Sequence, residues 1–293
     1  MGCGTSKQTA IKAAPEETPS RFSPSFQRRV VSHEINSVFE GEDSPGHSGG
    51  TSLATTVALV PEPPVSVAAF LRNYHEVLRN DLEKVLTPLA ESGDRDGFRA
   101  AWNEYSNGIE VHAAMEDGVE GAGKGLARML ESLLGADVES AQFKIEHEHD
   151  TDQREAVVAA IDKPATVLSM AFTSYKRSVI EHFVHEESVW QSLVPKLPNP
   201  KGPLFAEWVF SAGIAQSGFD DFLVHGVKSL SRYGSSGDTP EVATRVFVHA
   251  IHFVCTPDQW ARLLPLVKGA MPALVWQAVV AEVPSLLNPK TEV

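Results

Sequence analysis

Two cysteines in 293 residues, Cys3 and Cys255, are too few for a disulfide framework, and such sparse use fits a reducing compartment. Long apolar runs are missing as well: no stretch of the chain reaches the roughly 18 consecutive apolar residues of a membrane-crossing helix. Positive charge is scarce, with 25 Lys and Arg against 38 Asp and Glu and a formal net charge of −13. Such a surface repels phosphate, which excludes nucleic acid as the expected partner. No charged-then-apolar leader opens the chain, so export is not expected. What is present is the composition of a globular protein with a sizeable core, 42% apolar and 22% charged.

The chain begins Met1-Gly2-Cys3-Gly4-Thr5-Ser6-Lys7. Gly2 followed by small residues, a Ser at position six and then a Lys fits N-myristoylation, and Cys3 beside it is a candidate for palmitoylation. The pairing has a physical logic, because one myristoyl chain binds a membrane only weakly and a second makes attachment stable. Lys7, Lys12, Arg21, Arg28 and Arg29 outnumber Glu16 and Glu17 over residues 1–30, a local excess suited to an anionic cytoplasmic leaflet. Residues 1–60 are otherwise rich in Ser, Thr, Pro and Gly and offer too little apolar surface to offset chain entropy. They are expected to form a disordered, lipidated tether, which makes the protein intracellular and peripherally membrane-bound.

From Val65 onward strand-like alternation is rare and apolar residues recur at three- and four-residue intervals. Helices are expected at about 65–91, 95–120, 126–134, 138–161 and 164–193, with Ser92-Gly93-Asp94 and Gly135-Ala136-Asp137 as turns and Pro164 opening a helix. The Pro-rich stretch 195–203 closes this block, and shorter helices follow between Leu204 and Leu287. The expected fold is all-α: an antiparallel four-helix bundle over 61–200, with C-terminal helices over 201–293 packed on it.

Four of these helices carry histidine on the apolar stripe. The first has His75, the second His112-Ala-Ala-Met-Glu116, the third Glu146-His147-Glu148-His149, and the fourth His182-Phe-Val-His-Glu186. A four-residue step puts His and Glu on one helix face, and a bundle aims such faces at a common axis. Imidazoles with carboxylates suit iron, manganese or zinc, and a carboxylate that spans two ions suits a dinuclear centre. In the third helix His149 shares its face with Ile145, Gln153, Ala156, Val157 and Ala160, whereas His147 lies with Phe143, Thr151, Arg154 and Val158. The first stripe is the less polar near the site, so His149 is the expected ligand and His147 a boundary residue. The full expected set is His75, His112, Glu116, His149, His182 and Glu186. Glu187 reads as a solvated charge and His185 as a residue beside the site.

A lone His, then His-x-x-x-Glu, then a His, then a second His-x-x-x-Glu, in this order over residues 65–195, resembles the hemerythrin-like family, the His-His-Glu cation-binding domain. The resemblance implies an up-down four-helix bundle around a non-haem di-iron centre, with the six residues above as ligands to two iron ions. It also implies dioxygen or another small molecule as the ligand of that centre. With the tail, the expected function is a membrane-tethered di-iron protein that senses or handles iron or dioxygen. The alternatives are a di-iron oxidase or peroxide-consuming enzyme and a membrane-associated helical scaffold. An enzyme ranks lower because no substrate-positioning motif is visible.

Two other patterns carry less. Gly118 to Gly125 nearly spells a phosphate loop, but Gly125 stands where a Mg²⁺-binding hydroxyl is required, and a helix rather than a strand precedes it. His249 and His252 lack a companion carboxylate and read, with Cys255, as buried packing residues.

Overall fold

The computed structural model describes residues 67–119, 123–135, 140–196 and 219–287. Gly2, Cys3, the rest of the tether, and the Pro-rich stretch beyond Lys196 lie outside them. Among the described residues the chain is helical apart from one pair of two-residue strands.

Helix α1 (Val67–Asn80) buries Phe70, Leu71, Tyr74, Val77 and Leu78. It runs without a break into one π-helical stretch, Asp81–Leu86, and then into α2 (Thr87–Ser92). Plain α-helical spacing would continue the buried stripe through Val85 and Leu89. The wider π turn moves it by one residue, so that Leu86 and Ala90 are buried instead. Gly93, at φ 74°, ends α2 in the left-handed conformation that glycine adopts without steric cost.

Asp94 caps α3 (Arg95–Asp117) by accepting a 3.0 Å hydrogen bond from the Gly97 amide. The glycine-rich stretch that follows is a small hairpin in which β1 (Gly118–Val119) pairs antiparallel with β2 (Gly123–Lys124). It folds back over the end of α3 so closely that a side chain at Gly125 would collide with the Glu116 carbonyl and the Gly118 nitrogen. The hairpin leads into α4 (Leu126–Leu134), which packs on α3.

Helices α5 (Ser140–Ala160) and α6 (Ala165–Leu193) form an antiparallel pair. Gln153 meets Ser174, Asp150 meets Ser178 and Glu146 meets His182 along their shared face. Helix α6 also packs on α1, α3 touches both α1 and α5, and every member of this ring of contacts carries part of the histidine pattern.

The C-terminal part consists of α7 (Phe219–Tyr233), α8 (Pro240–Val254), α9 (Pro257–Ala270) and α10 (Ala273–Glu282). Helices α7 and α8 lie against α1, and one continuous apolar core runs from Phe70 to Leu286. Tyr74 meets Phe222 edge-on at 4.7 Å, and Phe70 stacks on Phe247 at 5.3 Å. Polar bonds fix the same interface: the Asn80 amide donates to the Gly234 carbonyl at 3.0 Å, and Glu76 accepts from the Ser236 amide at 3.0 Å. His225 of α7 reaches Asp81 at 2.7 Å and Glu104 at 2.9 Å, tying the π turn and α3 to the C-terminal part.

Candidate metal centre

Six ionisable side chains converge in the interior between α1, α3, α5 and α6. Glu186 is central. Its Oε2 lies 3.2 Å from His75 Nε2 and 3.5 Å from His112 Nε2, and its Oε1 lies 3.1 Å from His182 Nε2 and 3.5 Å from His147 Nε2. Glu116 is the second carboxylate, with its Oε2 3.8 Å from His112 Nε2 and 3.7 Å from His147 Nε2. Two overlapping donor sets result, His75, His112, Glu116 and Glu186 on one side and His112, His147, His182 and Glu186 on the other. Within each, the donor atoms lie within 4.8 Å of one another.

Helix three is where the sequence reading misplaces a residue. The structure brings His147, not His149, into the cluster. The buried stripe of α5 is set by Phe143, which is fully buried, and His147 follows it by one turn; Ile145, on the stripe expected to face inward, is 58% exposed. His149 lies on the outside of α5, with its Nδ1 3.1 Å from Ser178 Oγ. His75, His112, Glu116, His182 and Glu186 all come together as their spacing suggests.

Behind the cluster is a set of braces. His75 Nδ1 is 2.9 Å from Glu187, His147 Nδ1 is 2.9 Å from Asp117, and His182 Nδ1 is 2.9 Å from Glu146. Each brace comes from a different helix than its histidine: α6 holds α1, α3 holds α5, and α5 holds α6. A carboxylate on Nδ1 fixes the ring's orientation and tautomer so that Nε2 presents its lone pair inward. Glu187, expected as a solvated charge, is instead partly buried and holds His75; Arg79 also holds it, at 2.8 Å. The signal was present in the sequence, because each brace is the chain neighbour of a cluster residue: Asp117 of Glu116, Glu146 of His147, Glu187 of Glu186.

The electrostatics are those of charges withdrawn from water. Burial pushes the His112 imidazole down to about 3. Burial also works against a charged His147, but its hydrogen bond to Asp117 and the nearby Glu186 carboxylate carry it up to about 10. Burial and the neighbouring Glu186 raise Glu116 well above the usual carboxylate range. Glu186 goes the other way: against the cost of burial, its neighbours Glu116, His112 and His182 hold it well below that range.

The inward-facing atoms lack hydrogen-bond partners: Nε2 of His75, His112, His147 and His182, and both oxygens of Glu116 and of Glu186. An orphaned buried polar group costs about 1–3 kcal/mol, and more when charged. Native interiors keep such groups rare, so eight on facing atoms of six residues require a common partner. Imidazole nitrogen and carboxylate oxygen together are the donor set of first-row transition ions, and the residues fit such ions.

Comparison with protein-family models, with curated proteins and with solved structures finds no match to this chain. The functional conclusion therefore rests on the residues themselves.

Proposed function

We propose that this cluster is a dinuclear non-haem metal centre, with iron as its first occupant, in a hemerythrin-like four-helix bundle, and that the protein senses or handles iron or dioxygen at a membrane. The observation that carries the metal reading is the set of inward donors left without partners while three of the four histidines are braced from behind. The ring of contacts α1–α3–α5–α6 supports the bundle. His75, His112 and Glu116 would hold one ion and His147 and His182 the other, with Glu186, whose two oxygens face opposite sides, shared between them. Bound iron would supply Lewis acidity and reversible redox chemistry there. The chain's own part is to hold the donors in place through their braces and to exclude water on the His75 side with Phe183, which stacks on that ring at 4.6 Å.

Metal analysis of the full-length protein from its own cells tests this reading. About two ions per chain are expected, and on oxidation the near-ultraviolet absorption of bound ferric iron. Metal-free protein after purification without chelators would overturn it. Peroxide turnover by the loaded protein would favour the enzyme reading over sensing.

The membrane part of the proposal rests on Gly2 and Cys3. No helix among the described residues is long and apolar enough to cross a membrane. Replacing Gly2 by Ala is expected to move the protein from the membrane to the soluble fraction, because the second chain is added only to protein that the first has brought to the bilayer. Unchanged fractionation would show that the tail is not the anchor.

A further inference from the structure

The cluster is not equally deep on all sides. His75 and His112 are 0% exposed, whereas His182 is 5% and His147 9% exposed, so the α5–α6 side is the thinner wall. Outside that wall lies a groove of about 400 Å³ lined by Gln142, Ile145, Glu146, His149, Asp150, Ser178, Glu181 and His182. Three carboxylates and two imidazoles face it, and no Lys or Arg lines it. His182 belongs to both places. Its Nδ1 is held by Glu146, a groove residue, and its otherwise unpartnered Nε2 points to Glu186 inside. Ser178 gathers the middle of the groove, donating to Asp150 at 3.1 Å and meeting His149 Nδ1 at 3.1 Å.

The other groove beside the same helix has different chemistry. It is larger, about 520 Å³, lies between α3 and α5, and contains Arg154 but no residue of the cluster. The Arg154 guanidinium is held there by Glu110 and Thr151. Glu110 and Glu155 also line that groove, but Arg154 offsets part of their charge and no residue of the cluster is reached from it, so it offers a cation no path to the centre.

We infer that the α5–α6 groove is the route by which divalent cations enter the centre, with Glu181 and His149 at its exposed end and Asp150 and Glu146 nearer His182 as successive transient ligands. A hydrated ion must exchange water for protein donors one by one, and a line of carboxylates and imidazole supplies those donors without a deep well on the way. Carboxylates in a cleft also raise the local concentration of cations and hence their rate of arrival. His149 thus has a use outside the centre. The inference rests on the metal reading above and adds the path to it.

Stopped-flow uptake of Co²⁺ by chelator-stripped, full-length protein tests it, read from the visible bands of the bound ion. Glu181→Lys is expected to slow uptake about five- to tenfold and to weaken its dependence on salt, with the final Co²⁺ content unchanged. His149→Ala should slow uptake by a smaller factor. Glu155→Lys, the same change of charge in the α3–α5 groove, should leave the rate as it was. Equal rates for Glu181→Lys, His149→Ala and the unaltered chain would overturn the route and leave the metal centre standing. No uptake by the unaltered chain would overturn both.

Discussion

The two sides of the buried cluster hold similar donors behind different walls. His75 and His112 are closed in by rings: Phe183 stacks on one and meets the other edge-on at 5.4 Å, Tyr74 lies 5.4 Å from His112, and Phe222 of α7 backs Tyr74. His147 and His182 are backed by Asp117, Glu146 and a polar groove. The dry wall belongs partly to the C-terminal helices and the wet one wholly to the α5–α6 pair and the end of α3. On the proposed reading one side would retain ions and the other admit them, and the C-terminal part backs the retaining wall through Phe222.

The largest expected effect comes from the residue common to both sides. Glu186→Gln keeps the volume but removes the charge that faces all four histidines, and should abolish loading of both ions while circular dichroism stays helical. Retention of two ions would mean that Glu186 is not shared. Cutting the dry wall is next. Phe222→Ala should destabilise the fold by about 3–5 kcal/mol in urea titrations, as for a buried aromatic ring, and should hasten loss of metal to a chelator from the His75 side. If only stability falls, the ring wall does not retain the ions.

The smallest effect concerns the tie between the parts. His225 is raised to about 9 from an ordinary 6.5; burial opposes the charge, but hydrogen bonds to Asp81 and Glu104 outweigh it. A folded-state value above the unfolded one stabilises fully below about pH 6.5, and the gain is lost as pH rises through about 9. The shift sets an upper limit of about 3 kcal/mol, and burial of Asp81, which raises its own value, takes part of it back. Replacing His225 by Gln should therefore cost about 1–2 kcal/mol near pH 6 and almost nothing near pH 10. A pH-independent loss would assign His225 to packing alone.

Much of this was legible in the sequence, and the misreading is instructive. The helices followed from apolar spacing because α1 and α3 each have one clear buried stripe. Four of the six cluster residues, His112 with Glu116 and His182 with Glu186, followed because His and Glu one turn apart stay together however the helix is rotated, and His75 followed from the stripe of α1. Helix α5 defeated the same reasoning. Glu146, His147, Glu148, His149 and Asp150 surround it with polar groups, so its orientation hangs on Phe143, Val157 and Ala160. Taking Ile145 as the inward residue turned the helix and exchanged the two histidines. The braces lie beside cluster residues in the chain, but which histidine each one holds depends on packing between helices.

The π turn at Asp81–Leu86 has a consequence for how this chain tolerates change. It acts like a dislocation in a crystal: on either side the helix is regular, and the mismatch of one residue is confined to one place. Glu83 and Lys84 lie exposed there, and deleting either would let Leu86 and Ala90 fall where a plain α-helix would put inward residues. Length variation downstream is thereby absorbed before it reaches His75, whose angular position is set by Phe70, Leu71, Tyr74, Val77 and Leu78 on its own side of the turn.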